Sequence, residues 1–253
     1  MPAPLAPVTL HLNLTHCSCR STRRVYPSSK LTVRVYNALM STALDLPRGA
    51  LPFRFDPPDG LHELDLNVPR LLHFIWIGSP VPEKYRQNVE AFRVHNPDWM
   101  VRVWTDERVR ELDLRNRDLF DAETNMGAKA DILRYELVHQ FGGVYLDIDM
   151  RSHGPGSIHP DMQRAWLTVS GEPWNNTNNA HFGFAKGSRF LAYVLERLRE
   201  PRVRERLSIP DRTGPTFFTT CVVSFGDFRF IHPDGRELLK GLTHDADANW
   251  VGR

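Results

Sequence analysis

The stretch GAKADILRYELVHQFGGVYLDIDM, residues 127–150, decides the fold class and poses a chemical question. In its first half Ala130, Leu133, Leu137 and Phe141 recur at helical spacing and line one face. Gly142-Gly143 provides the left-handed stop that helix C-termini favour. Asp131, Arg134 and Tyr135 lie off that stripe at i, i+3 and i+4, close enough to act together. VYLDID then reads as a short buried strand. Side chains alternate along a strand, so Val144, Leu146 and Ile148 share one face and Tyr145, Asp147 and Asp149 the other. Two carboxylates so placed repel each other unless a cation sits between them or one is protonated.

The flanking sequence repeats the alternation of strand and helix. LLHFIWIG (71–78) is a continuous apolar run closed by Gly78, as expected of a central strand covered on both faces. Pro82 suits a first helical turn. In PEKYRQNVEAFRVHNP, Tyr85, Val89 and Phe92 form one apolar stripe, and Asn96-Pro97 ends it. DWMVRVWTD reads as a second strand, which completes a βαβ unit. Downstream, AWLTVS and FRFIH read as strands, and FLAYVLERLRE and PTFFTTCVVSF as helices. The fold class is α/β. In open α/β sheets ligands gather beyond the carboxyl ends of the strands, where Gly78 and Asp147–Asp149 fall.

The chain has 253 residues, enough for one α/β domain, read as 67–253, behind an N-terminal extension, 1–66. Pro-rich stretches (PAPLAP, FRFDPPDG) flank one expected helix in that extension, near VRVYNALMSTALDL. The formal net charge of +2 predicts no strong attraction to nucleic acid. Residues 1–44 nevertheless carry Arg20, Arg23, Arg24, Lys30 and Arg34 and no acid. That cluster is short and poor in aromatics for nucleic-acid binding. An organelle transit segment, or a basic arm meeting an anionic membrane, fits it equally well.

Cys17, Cys19 and Cys221 have neither disulfide nor zinc spacing, which points to a reduced compartment. The start lacks a basic n-region, and no run approaches membrane-spanning length. The expected location is cytoplasmic, with membrane association through the basic arm. The sequons at Asn13 and Asn175 then carry little weight.

A D-x-D match by itself is a weak signal, because strand-end carboxylates often form turns or pair with a neighbour such as Arg151. Context strengthens it: the pair closes an apolar strand and follows a helix bearing an acid and an arginine. Mg²⁺ and Mn²⁺ prefer oxygen ligands, and Mg²⁺ is commonly held by one or two carboxylates together with substrate phosphates. Two carboxylates without nearby His or Cys therefore suggest a cation shared with a diphosphate.

PRLLHFIWIGSPVPE, NPDWMVRVWTD and AKADILRYELVHQFGGVYLDIDM, in that order, resemble the DXD-motif sugar transferases. That family includes yeast-type initiating mannosyltransferases, bacterial capsule and oligosaccharide transferases and, more distantly, the glucosylating domains of large clostridial toxins. NNTNNAHFGFAKGSRF, RTGPTFFT and THDADANW resemble later family segments: an Asn-containing strand before a helix, a Thr-Gly-Pro helix start and a closing His…Ser/Asn-Trp segment.

The resemblance implies a GT-A-type nucleotide-binding sheet flanked by helices, and retention of anomeric configuration. It places Ile75, Trp76, Ile77 and Tyr145 against the nucleotide; plain core packing is the competing reading for the first three, above all the two isoleucines, and a strand aromatic that for Tyr145. It assigns Asp131 and Arg134 to the donor sugar and its phosphate, and Asn178 and Asn179 to sugar or acceptor. Asp147 and Asp149 become metal ligands for Mn²⁺ or Mg²⁺, with His244 or Asn249 as a third ligand and Trp250 on the diphosphate. The function expected is hexose transfer from a UDP- or GDP-sugar to a glycan, lipid-linked or protein acceptor. The alternatives are a metal-dependent phosphotransferase or nucleotide-sugar hydrolase, and a non-catalytic nucleotide-sugar-binding module.

Overall fold

The computed structural model describes residues 66–170 and 176–246. The helix expected near residues 33–46, the basic cluster at 20–34, Asn175, Asn249 and Trp250 lie outside them. The described chain runs β1 (Leu71–Ile75), α1 (Glu83–His95), β2 (Met100–Trp104), α2 (Met126–Phe141), β3 (Gly143–Leu146), β4 (Met150–Ser152), β5 (His181–Phe184), α3 (Arg189–Arg197), α4 (Pro215–Phe225) and β6 (Leu242–His244). Short helices at Asp106–Arg110, Arg117–Ala122, Pro201–Arg204, Ile209–Arg212 and Gly235–Leu238 fill the connections.

Four strands form one sheet in the order β2-β1-β3-β5. β1 runs parallel to both its neighbours, and β5 closes the far edge antiparallel to β3. The expected βαβ unit and central first strand are both present. Period 2 along the strands divides the core into two layers. Leu72, Phe74 and Trp76 of the first segment, with Val144 and Leu146 of β3, pack with Tyr85, Val89 and Phe92 of α1. Ile75, Ile77, Tyr145, Phe182 and Phe184 face the other layer, where α2, α3 and α4 pack.

Two glycines make the α2–β3 junction possible. Gly142 (φ 68°) and Gly143 (φ 111°) both have left-handed backbone, and a Cβ at Gly143 would strike the Leu71 carbonyl oxygen. The helix therefore turns into the central sheet without an intervening loop.

Three expectations need correction. The strand does not run through VYLDID: β3 ends at Leu146, and Asp147 to Asp149 form a turn closed by Met150 N–H donating to the Asp147 carbonyl at 2.9 Å. AWLTVS and FRFIH are not ladder strands. They touch their neighbours through isolated bridges, Trp166 with Gly183, Leu167 with Ile231 and Val169 with Thr177. Helix α2 is not amphipathic; Asp131, Arg134, Tyr135 and Glu136 are buried along with its apolar stripe. The period-3.6 pattern named one packed face, but helices and sheet enclose the other face as well.

Candidate active site

Three elements meet at the carboxyl end of β3. Asp147 lies one residue past the strand, and its backbone N–H donates to the Ala180 carbonyl at 2.8 Å, which ties the turn to the segment entering β5. Asn88 of α1 donates to the Ile148 carbonyl at 3.3 Å from the other side. Beyond the turn β4 pairs with β6 in a register that sets Met150 opposite His244. The ladder thus carries an imidazole from near the end of the described chain to the aspartates.

One ligand atom each from Asp147, Asp149 and His244 lies within 4.8 Å of the other two. His244 Nε2 is 3.1 Å from Asp149 Oδ1 and 3.8 Å from Asp147 Oδ2. Asp149 is only 2% exposed. The His244 imidazole is held above its ordinary pKa, chiefly by its hydrogen bond with Asp149 and then by Asp147, against the effect of burial. Carboxylates this close repel one another, and two carboxylates with one imidazole make a donor set that fits a divalent cation. Asp147 and Asp149 come together through a turn rather than the alternation of a strand. Arg151, the partner weighed for them, pairs instead with Asp245 at 2.8 Å.

Arg134 links this cluster to Asp131. Its guanidinium lies 3.4 Å from Asp147 Oδ1 and 3.3 Å from Asp131 Oδ1. It donates to the Asn179 carbonyl at 2.7 Å and stands 4.6 Å over the Tyr145 ring. Burial works against its charge, but Tyr145, Asp147 and Asp131 around it more than compensate and hold its pKa above the usual range. Tyr145 donates its phenolic hydrogen to Asp147 Oδ1 at 2.5 Å. Burial pushes both the Tyr145 phenol and the Asp131 carboxyl upward, with Arg134 opposing in each case. This is a buried i, i+3 ion pair, not the exposed pair of little value that α2 alone could have formed.

The nucleotide-side residues occupy different settings. Ile75 and Ile77 are core residues of the helical layer, in keeping with the packing reading weighed for them. Trp76 is buried on the opposite layer beside Tyr85, and its indole N–H donates to Ser79 Oγ at 3.1 Å. Asn179 is buried, and its amide donates to Asp131 Oδ1 at 2.9 Å. The Asn178 side chain accepts from Ala180 N–H at 2.8 Å and so shapes the turn before β5. A cavity of about 680 Å³ opens between α1 and β2, lined by Glu83, Arg86, Glu90, Val103, Glu107 and Arg108 among others; none of its lining residues belongs to the aspartate cluster.

Two residues beside the site carried no readable signal as site residues. His181 is buried on β5, with Nε2 2.7 Å from Thr168 Oγ1, and burial and the nearby His244 push its pKa down to about 3. Thr213 donates its hydroxyl to Asp131 Oδ2 at 3.0 Å. The sequence marked its neighbourhood only through the RTGPTFFT helix start.

Residues 82–165 match the family described as "Glycosyltransferase sugar-binding region containing DXD motif". Inositol phosphoceramide mannosyltransferase 3 of Schizosaccharomyces pombe is 30% identical over 174 residues, 62% of this chain and 47% of the relative. Subversion of eukaryotic traffic protein A of Legionella pneumophila is 27% identical over 226 residues, 74% of this chain and 35% of that protein. The chain spans about half the length of the mannosyltransferases it matches. Among solved structures, the PaToxG glycosyltransferase aligns with a TM-score of 0.48 at 15% identity, over 76% of this chain and 74% of that one. The matched region, which contains Asp147 and Asp149, is thus similar to the DXD-motif glycosyltransferases.

Proposed function

We propose that residues 67–253 form a metal-dependent glycosyltransferase domain that moves a hexose from a UDP- or GDP-sugar to an acceptor hydroxyl with retention. The observation that carries this reading is the convergence of Asp147, Asp149 and His244 within 4.8 Å, with Arg134 directly behind them. The two aspartates and the histidine would hold Mn²⁺ or Mg²⁺, which when bound offsets the charge of a diphosphate leaving group.

The protein's own groups divide the remaining work. Arg134 presents a fixed cation at the rim of the cluster, suited to phosphate oxygens that gain charge as the glycosidic bond breaks. Asp131 offers acceptor oxygens to sugar hydroxyls. Tyr145 holds Asp147 in one orientation through its short hydrogen bond. The yeast relatives are named for inositol phosphoceramide, so a mannosyl donor and an acceptor with a polyol headgroup are the first pair to try.

Thermal shift against UDP- and GDP-sugars with and without Mn²⁺ tests the donor. A selective, metal-dependent stabilisation is expected, growing with occupancy as RT ln(1 + [L]/Kd). Transfer is then assayed with and without acceptor. Free sugar released at the full rate without acceptor would replace this reading with hydrolysis.

A further inference from the structure

The segment Thr213-Gly214-Pro215 joins the helix Ile209–Arg212 to α4. Thr213 is buried and belongs to a closed circuit of hydrogen bonds around Asp131. Its hydroxyl donates to Asp131 Oδ2 at 3.0 Å, and its carbonyl accepts the Tyr135 phenol at 2.8 Å. The Tyr135 oxygen accepts from Asn179 Nδ2 at 3.1 Å, and the same amide donates to Asp131 Oδ1 at 2.9 Å. The protons balance: one from each hydroxyl and two from the amide. The Thr213 hydroxyl also lies 3.3 Å from the Ile209 carbonyl, but its single proton favours the nearer, charged acceptor.

We propose that Thr213 is a positioning residue for the donor sugar, fixing the Asp131 carboxylate so that one acceptor site on Oδ2 faces a sugar hydroxyl. The proposal rests on the glycosyltransferase reading above. An ionised carboxylate has about four acceptor sites. Asn179 and Arg134 occupy Oδ1 at 2.9 and 3.3 Å, and Thr213 takes one site on Oδ2. The site left on Oδ2 suits a hydroxyl donor. Gly214 lets the segment that carries Thr213 pack closely here, since a Cβ there would come within 2.9 Å of Pro210 Cα. Without the Thr213 hydroxyl the carboxylate can turn about its terminal torsion, whereas Asp149 and His244, the residues that would hold the cation, are untouched.

The test compares wild type, Thr213→Val and Thr213→Ser by calorimetry in Mn²⁺. The ligands are UDP or GDP alone and the nucleotide sugar selected by the donor panel. Thr213→Val is expected to bind the nucleoside diphosphate within about twofold of wild type, and the nucleotide sugar about tenfold or more weaker, with kcat reduced. Thr213→Ser restores both. Equal weakening toward both ligands, an unchanged affinity for the nucleotide sugar, or no recovery in Thr213→Ser would each overturn the proposal. If Thr213→Val does not fold, Thr213→Ala removes the same hydroxyl and carries the same expectation. Failure of wild type to bind any nucleotide sugar would instead overturn the glycosyltransferase reading.

Discussion

His244 Nε2 stands 3.1 Å from Asp149 Oδ1 because the β4–β6 ladder sets Met150 and His244 side by side. The imidazole is therefore as fixed to the turn as the aspartates themselves. Substituting His244 with Ala should weaken Mn²⁺ binding about tenfold or more while leaving the sheet intact, since backbone bonds make the ladder. Calorimetric titration with Mn²⁺ reads this directly. Wild-type affinity in the variant would remove His244 from the ligand set. Asp149→Ala should abolish turnover and the metal-dependent thermal shift together, with the fold largely kept.

Tyr145 and Asp147 give a finer test. The phenol spans 2.5 Å to Asp147 Oδ1 and leaves the other carboxylate oxygen turned toward His244, at 3.8 Å. Tyr145→Phe keeps the ring under Arg134 and deletes only the donor. Losing an orienting partner of a metal ligand lowers metal affinity or activity on the order of 10–100-fold. Equilibrium dialysis with Mn²⁺ and the transfer rate should fall together, and a rate equal to wild type would show that Asp147 needs no such support.

Arg134, itself almost closed to water, faces a buried carboxylate on Asp131 and a partly exposed one on Asp147. Arg134→Met should destabilise the fold by about 3–5 kcal/mol, because it strands buried negative charge on Asp131. Adding Asp131→Asn should recover part of that loss. Urea unfolding of the single and double variants measures both, and additive effects would mean the two residues do not act as a pair.

His73 sets a pH dependence away from the site. The Trp104 indole, a donor only, gives its hydrogen to Nδ1 at 3.0 Å, so the His73 proton resides on Nε2 and is donated to the Gly142 carbonyl at 2.8 Å. Burial drives the His73 pKa down from 6.5 to about 4. Between those values the unfolded chain binds the extra proton, so stability rises with pH there. The contribution is complete above the unfolded pKa and is lost as pH falls toward the folded one, on the order of 3 kcal/mol in all. Urea midpoints from pH 7 down to 4.5 should decline in wild type and decline less steeply in His73→Gln.

Much of the architecture was legible because it rests on local periodicity. The Tyr85, Val89 and Phe92 stripe of α1, the central apolar run at 71–78 and the Gly142-Gly143 stop each reflect constraints carried within a few residues. The strands misread at AWLTVS and FRFIH had suitable composition, but whether a segment joins a ladder depends on which backbone lies beside it. Asp147 and Asp149 were placed on one side of the same feature for the wrong reason. The residue types foretold that they would converge, but a turn, not an extended strand, brings them together.

The sequence by itself determined the α/β class and the order of the βαβ unit, and it marked Asp147 and Asp149 as a candidate pair, because side-chain period and residue chemistry are written locally. Only the tertiary structure decided that His244 reaches Asp149, that Arg134 is buried between Asp131 and Asp147, and that Thr213 holds Asp131 from a distant segment. Those relations depend on strand register and on helices packing around α2. Contacts between residues far apart in the chain follow from how the whole core closes, and no local spacing encodes them.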